Sequence, residues 1–245
     1  MNLFALNLNT IPDVVGGRRL YSLYGLGDKE VAEVMMHRQR QQRLSVLPLH
    51  QRRVASVSGI LRTKRGVELY RSAMQASEAD VVSGLFNTIE TQVPALISWN
   101  GSRVDLPILH YRALFHSVSA PKYWNGGDQD DDMYWSNIDL KEVLAGYHGS
   151  ATAPLHEVAS LLGLPAGTVL SDEQVWDLYL ANDHDAIAVA TDVSAVCIYF
   201  IYLRFSLIRG HFNQKHYEEE VTLLRNYLES HELTHLQSFV AQWNN

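Results

Sequence analysis

The most recognisable group of chemically active side chains is His231-Glu232-Leu233-Thr234-His235. On a helix, the two histidines would share one face and could bind zinc, with Glu232 as a general base. Ten residues follow His235, and none of them is His, Asp or Glu, so a downstream third ligand is missing. The stretch also continues an apolar helical repeat that includes Leu223, Leu224, Tyr227 and Leu228. We therefore favour an amphipathic helix over a zinc peptidase, and stoichiometric zinc would distinguish the two.

Three smaller features carry weaker chemical signals. Cys197 lies among apolar neighbours at helical spacing, which favours an inert core thiol over a nucleophile. The acidic run Asp128–Asp132 lacks the spacing and the terminal Glu of a calcium loop and is typical of a solvated loop. Asn100-Gly101-Ser102 matches a glycosylation acceptor, but no secretory signal is recognisable, so we interpret it as a turn.

Basic residues are concentrated between Val34 and Val67, where no Asp or Glu occurs. The eight residues are Arg38, Arg40, Arg43, Arg52, Arg53, Arg62, Lys64 and Arg65. Such a block can contact phosphates, although the net charge of −7 argues against nucleic-acid binding through bulk charge. A solvated excursion between two strands explains the block equally well, so both interpretations stay open. Five aromatic side chains could stack on bases: Trp99, Tyr123, Trp124, Tyr134 and Trp135. For Trp99, a position in the core is favoured.

The composition is that of a globular chain, and we expect one domain over residues 1–245. The 245 residues are 47% hydrophobic and 19% charged, which excludes wholesale disorder and fibrous classes. A single cysteine excludes an intramolecular disulfide framework and a cysteine-rich metal site. The apolar run 193–203 is shorter than the roughly 20 residues of a membrane span and indicates a core helix. We expect a cytoplasmic protein without a membrane partner.

Apolar periodicity predicts the elements that must position any site. Strands are predicted at 2–8, 54–61, 67–71 and 94–99, the first ending at Thr10-Ile11-Pro12 and the next two forming a hairpin. Helices are predicted at 28–43, 77–91, 106–116, 138–146, 155–162, 173–180, 185–210 and 217–239, with a loop over 117–137. This order predicts an α/β core, a basic excursion and hairpin at 34–67, and a helical C-terminal half that ends in a helix within 211–245.

Four stretches of the chain resemble one enzyme family, in the family's own order. They are FALNLNTIPD at 4–13, SWNGSRVDLPILHYRA at 98–113, NIDLKEVLAGY with LHEVASLLGLP at 137–165, and VWDLY with TDVSAVCIYFIYLR at 175–204. Together they resemble the predicted PolB-like 3′–5′ exonucleases, which belong to the DEDD exonucleases of ribonuclease-H-like fold. The stretch WNGSRVDLPIL is the most specific of the four. The resemblance covers nearly the whole chain and implies a mixed sheet of about five strands flanked by helices.

The resemblance also implies a chemistry that depends on carboxylates. In such an enzyme two divalent cations, Mg²⁺ or Mn²⁺, clamp the scissile phosphate and are held by anionic oxygens. The family places two acids on the first strand at i and i+2, a third after the Asn-Gly turn and a fourth on the last core helix. Here those positions hold Asn7, Asn9, Asp105 and Asp192. The water-orienting Tyr or His expected four or five residues before the fourth acid is replaced by Ala188 and Ile187.

These departures predict an inactive or impaired site. An asparagine oxygen can ligate a cation but brings no charge, so we expect Asp105 and Asp192 to bind Mg²⁺ or Mn²⁺ weakly. Natural decay or repurposing explains the changes better than engineering, because Glu to Asn is not the isosteric substitution. Four other side chains could replace the missing ligands, but structural roles such as capping or turn formation are favoured for Asp13, Asp139, Glu142 and His184.

The sequence thus supports two functions on one fold. The first is a 3′–5′ exonuclease on single-stranded DNA or RNA ends, impaired by the loss of two carboxylates. The second is a non-catalytic nucleic-acid-binding or scaffolding module, which the chemistry favours. In both, Asn7 and Asn9 line the same cleft as Asp105 and Asp192. The residues expected to contact nucleic acid are Asn100, Arg52, Arg53, Arg62, Lys64 and Arg65.

Overall fold

A mixed sheet lies at the centre of the computed structural model, which describes residues 2–44, 46–72, 76–125, 137–167 and 169–243. Its strands are β1 (Leu3–Pro12), β2 (Arg52–Thr63), β3 (Gly66–Arg71), β4 (Ala95–Ser98) and β5 (Asn137–Asp139). Their order across the sheet is β3-β2-β1-β4-β5. β1–β2 and β2–β3 are antiparallel, whereas β1–β4 and β4–β5 are parallel. The predicted α/β fold with a five-stranded mixed sheet of ribonuclease-H-like type is confirmed.

Helices cover both faces of this sheet. In chain order they are α1 (Val14–Tyr21), α2 (Asp28–Gln41), α3 (Glu78–Gln92), α4 (Asp105–Phe115), α5 (Pro121–Asn125), α6 (Leu140–Leu144), α7 (Leu155–Leu161), α8 (Asp172–Leu180), α9 (His184–Ile208), α10 (Gln214–Ser230) and α11 (Thr234–Gln242). Two 3₁₀ turns lie at Leu49–Gln51 and Gly149–Ala151. Every helix after β5 belongs to the helical C-terminal half that the sequence predicts.

Alternation along β1 decides which side chains face which layer. Phe4, Leu6 and Leu8 pack into a core with α3 and α4, whereas Leu3 and Ala5 pack into a second core with α9. Because successive side chains of a strand point to opposite faces, Asn7 and Asn9 continue the α9 face. The register of β1 on β2 shifts between Asn9 and Thr10, which marks a bulge at the end of this polar row.

The long helix α9 covers the sheet on the face that carries the asparagines. It has the length and composition that could cross a membrane, but 89% of its most apolar 18-residue window is buried inside the fold. This is the core helix predicted from residues 193–203. Cys197 lies fully buried in it, and burial raises the pKa of its thiol to about 12, which fits an inert core residue.

Several element boundaries differ from the prediction. β1 continues through Thr10 to Pro12 because β2 pairs with it as far as Arg52, and proline is tolerated at a strand end. The helix α1 was not predicted, and Asp13 caps it by accepting a hydrogen bond from Gly16 N. The segment 138–146 begins with β5 before it becomes helical.

The helix predicted over 217–239 is two helices. His231 ends α10 with extended backbone angles (φ −74°, ψ 145°), and α11 starts at Thr234. The loop predicted over 117–137 contains α5, and residues 126–136 lie outside the described residues. That range includes the acidic run Asp128–Asp132 and the candidate stacking residues Tyr134 and Trp135.

Close packing between β1 and β2 generates a first prediction. A Cβ atom at Gly59 would overlap the ring of Phe4 in the fully buried core. We expect Gly59→Ala to lower the free energy of unfolding by about 1–3 kcal/mol, the usual range for overpacking, in urea denaturation. Gly84→Ala is the matched control on α3, where a Cβ has ordinary contact distance and alanine raises helix propensity by about 1 kcal/mol. Equal stabilities of the two variants would contradict this packing.

Candidate functional site

The polar residues of the α9 face form a row across three strands. Asn7 pairs with Ser58 in the β1–β2 register, and Ser58 pairs with Arg71 in the β2–β3 register. Cross-strand partners point to the same side of a sheet, so the three side chains line up beneath α9. Asp192 of α9 lies above this row.

Asp192 is fully buried and surrounded by donors. Ser58 Oγ donates to Oδ1, while His235 Nε2 lies 3.0 Å and Arg71 Nε 3.1 Å from Oδ2. The hydrogen-bonding partners come from β2 and α11 and the ion-pair partner from β3, so a single carboxylate ties three elements to α9. Burial of a carboxylate is tolerated because an internal cation and hydrogen bonds replace its water shell.

Asn9 uses its amide group as a donor. Its Nδ2 donates to Thr191 Oγ1 over 2.9 Å, and the Thr191 hydroxyl donates to Ile187 O over 2.7 Å. The hydroxyl proton is therefore committed to the helix backbone, and only a lone pair faces residue 9. A carboxylate there would meet that lone pair without a proton between them, so this neighbourhood suits an amide rather than an acid.

Asp105 begins α4 directly after a tight turn. Asn100 has a left-handed backbone (φ 67°), and Gly101 lies so close to Ser98 that a Cβ would overlap it. Asp139, at the end of β5, shapes this turn by accepting hydrogen bonds from Asn100 N (2.8 Å) and Ser102 N (3.0 Å). The interpretation of Asn100-Gly101-Ser102 as a turn is confirmed.

The charge on Asp105 is poorly stabilised. The pKa of its carboxyl is raised to about 7: burial raises it most, the charge of Arg52 opposes this shift, and the neighbouring charge of Asp139 adds to it. Arg52 is itself buried and fixed, because its Nε donates to Thr10 Oγ1 over 2.8 Å and its terminal nitrogen pairs with Asp172. An arginine that is bonded to the first strand thus lies close enough to Asp105 to act on its charge.

These residues do not fit a pair of divalent cations. In the described ranges, no group of three or more His, Cys, Asp and Glu side chains is arranged to hold a metal ion. Asn7 and Asn9 supply no charge, and both carboxylate oxygens of Asp192 are already occupied. A two-metal centre needs several anionic oxygens that converge on open space, whereas the oxygens of Asp192 are bound by side chains of the chain itself.

The four possible replacement ligands have structural partners. Asp13 caps α1 and pairs with Arg112 at 2.7 Å. Asp139 holds the turn before α4, and Glu142 pairs with Arg103 at 2.7 Å. The ring of His184 packs edge-on against Tyr179. The capping and turn roles predicted for Asp13 and Asp139 are confirmed by these contacts.

The zinc-peptidase pattern is not assembled. Its two histidines lie on opposite sides of a helix break: His231 ends α10, whereas His235 lies on α11 and binds Asp192. His231 Nδ1 instead accepts a hydrogen bond from Leu233 N over 3.2 Å. The single amphipathic helix predicted over this stretch is therefore wrong in its continuity.

The basic block is spread over several elements: Arg38 and Arg40 lie on α2, and the later members lie at the two ends of β2. Arg52 and Arg53 lie at one end and Arg62 at the other, roughly 30 Å away along an extended strand. Arg62 pairs with Glu220 at 2.6 Å, whereas Lys64 and Arg65 are exposed in the turn before β3. The prediction that these later members and Asn100 contact nucleic acid stays a prediction.

Two residues of the candidate site were missed by sequence reasoning. Ser58 and Arg71 lie far from Asp192 along the chain, and only the polar alternation within a predicted strand marked Ser58. His235 was noticed, but for a different chemistry. Among the aromatic candidates, Trp99 packs against the core, Tyr123 packs against Phe86, and Trp124 is exposed.

Comparison with known proteins adds a family assignment. A family model described as "predicted 3'-5' exonuclease related to the exonuclease domain of PolB" matches residues 45–243. The match includes Asp105 and Asp192 and begins after β1, so the fold alone places Asn7 and Asn9 at the centre of the sheet. A search of curated proteins finds no match to this chain.

Because Asp192 is buried against partners from the chain itself, we expect its charge to contribute to the stability of the fold. We expect Asp192→Asn to lower the free energy of unfolding by about 3–5 kcal/mol, because it leaves Arg71 without its buried counter-charge. Urea denaturation in EDTA measures this change. Asp185→Asn, at the exposed start of the same helix, is the control and should change stability by at most about 1 kcal/mol. If Asp192 instead served to bind cations, it would be repelled by neighbouring carboxylates in EDTA, and replacing it would leave stability unchanged or raise it. Unchanged or greater stability of Asp192→Asn would therefore contradict the structural role.

The raised pKa of Asp105 predicts a pH-dependent stability difference. Below pH 4 both the folded and the unfolded protein hold the proton, whereas between the unfolded value of 3.8 and the folded value of about 7 unfolding releases it. The wild type should therefore lose stability relative to Asp105→Asn as the pH rises through this window, and the difference should level off above it. Urea denaturation in EDTA at pH 5 and pH 8 tests this expectation. A difference that is the same at both pH values would contradict it.

Proposed function

The chain belongs to the family of predicted 3′–5′ exonucleases related to the exonuclease domain of PolB, and we propose that it binds single-stranded DNA or RNA without cleaving it. On this proposal the exonuclease fold is kept as a binding scaffold and the two-metal chemistry is lost.

One observation carries the proposal: the two acids that match the family's motifs are engaged by groups of the chain itself. Asp192 accepts from Ser58 and is paired with Arg71, while Asp105 is neutralised in part by burial and faces Arg52. Cleavage of a phosphodiester by two metal ions requires these carboxylates to be ionised, accessible to the metals and close to two further acids. The amide of Asn9 is engaged with Thr191 in a contact that an acid could not make.

The nucleic-acid part of the proposal is supported by the family and by exposed basic groups. A nuclease family points to a nucleic acid as the bound partner, and a single strand fits enzymes that work from an end. Lys64 and Arg65 are exposed, so they can reach phosphates without breaking internal contacts. The cytoplasmic location belongs to the same proposal.

The second candidate is an impaired exonuclease, and one observation favours it. Asn7 and Asn9 are only half-buried, and Asp105 still begins α4 at the family's position, so solvent reaches this end of the sheet. Weak binding of a single cation by Asp105 and amide oxygens would give slow cleavage. The two candidates differ in one measurable property, which is turnover.

The deciding experiment follows a 5′-labelled single strand incubated with the protein and Mn²⁺. We expect no shortening of the strand beyond that in an EDTA control and in an Asp105→Ala control. Gel-shift analysis of the same strand in EDTA should show a retarded complex. A ladder that disappears in both controls would establish the impaired exonuclease and overturn the non-catalytic proposal. A strand that is neither shortened nor retarded would overturn the binding function.

A further inference from the structure

Three aromatic rings are exposed on the outward side of α4 and α5. Tyr111 and Phe115 are one helical turn apart, with ring centroids separated by 6.3 Å, and Trp124 follows on α5. Their exposed fractions are 41%, 51% and 51%. The inner side of α4 is buried in the core through Ile108 and Leu109, so the rings are not needed for packing the helix.

A cavity on each side of α4 continues this aromatic surface. One, of about 510 Å³, is lined by Tyr111, Leu114 and Trp124 among others. The other, of about 600 Å³, lies between α1 and α4 and is bordered by Phe115. His50 links the two cavities, since its ring lies edge-on to Tyr111 at 5.8 Å and it lines the larger one.

The larger cavity is rich in basic groups. Its lining carries three arginines and two histidines against two carboxylates: Arg19, Arg53, Arg112, His50, His116, Asp13 and Glu78. Both carboxylates are engaged within the chain. Asp13 caps α1 and pairs with Arg112, and Glu78 pairs with Arg112 and accepts from Val54 N over 2.7 Å.

The exposed charge of this cavity is therefore positive, whereas the net charge of the whole chain is −7. Arg19 and His50 are its exposed basic side chains. A positive rim next to exposed ring faces is the combination by which proteins hold single strands, with phosphates on the cations and bases stacked on the rings.

We propose that the α4 face, defined by Arg19, His50, Tyr111, Phe115 and Trp124, is the surface that binds single-stranded nucleic acid. The inference rests on the proposed function and assigns it to a surface that does not include Asp192 or Asp105. Stacking is tolerant of sequence because every base has a π face, so the α4 face selects single strands over duplexes rather than one base over another.

A protein partner is the competing occupant. Leu20 and Leu114 are exposed on the same side and would suit an apolar interface. The rings and the unbalanced positive charge favour a polyanion, because an apolar protein contact gains nothing from Arg19 and His50.

The test is fluorescence anisotropy of a 5′-labelled oligothymidylate titrated with the full chain in EDTA. We expect Phe115→Ala to weaken binding by about fivefold to 100-fold, the loss of one stacked base, without changing the salt dependence. Arg19→Ala should reduce the slope of log affinity against log salt by about 0.7, the loss of one phosphate contact. Tyr24→Ala and Lys215→Ala are matched controls, since they remove an exposed ring and an exposed cation elsewhere and should bind like the wild type.

The outcomes separate this proposal from the one on which it rests. Absence of binding by the wild type would overturn the proposed function. Wild-type binding that persists in Phe115→Ala and Arg19→Ala but weakens in Lys64→Ala with Arg65→Ala would place the strand at the β2–β3 turn and overturn the α4 face alone. Unchanged binding in those α4-face variants, together with an oligomer that dissociates in Leu114→Glu during sedimentation, would make the face a protein interface and also overturn the proposal.

Discussion

Full burial of Asp192 is the constraint on which much of this structure depends. An ionised carboxylate inside a protein is tolerated only when a cation and hydrogen-bond donors replace its water. Arg71, Ser58 and His235 supply them from β3, β2 and α11. Each element must therefore dock in one register on α9. Slippage of β3 by one residue would turn Arg71 to the other face of the sheet and leave the charge unpaired.

The same constraint distinguishes the surroundings of Asp192 from those of an open metal ligand. A catalytic carboxylate has to stay open to cations and substrate, whereas a structural carboxylate must be closed by the protein. Asp192 is closed, and Asn9 extends the closed network by donating to Thr191, the residue next to Asp192. Arg52 introduces a further internal cation beside Asp105. Arg71 and Arg52 are thus cations of the chain itself that lie close to the two carboxylates.

Much of the fold could be predicted from periodicity, and the failures have physical reasons. The β2–β3 hairpin, the buried β4 and the apolar α9 carry strong local patterns, and the structure confirms them. The helix α1 was missed because Gly16 and Gly17 lower helix propensity and hide its repeat. The break between α10 and α11 was missed because no glycine or proline marks it and the apolar repeat continues through it.

The candidate site was predictable only in part. The positions of the matching acids follow from local motifs, but their partners do not. The partnership of Asp192 with Arg71 and His235 depends on strand register and helix docking, which no local pattern contains. The sequence could therefore mark Asp192 as a candidate site residue but could not reveal its buried partners.

The basic residues are grouped differently in the sequence and in space. The block that is continuous in sequence is divided by β2 into two distant ends, whereas Arg19, His50 and Arg112 converge on one cavity from remote segments. That cavity is built on the outer side of α4, and its inner side is held by the core with α3 rather than by the network of Asp192. The Asp192 network is made by α9, α11, β2 and β3, so α4 is not one of the elements that it ties together. The outer surface of α4 can therefore change without disturbing the partners of Asp192.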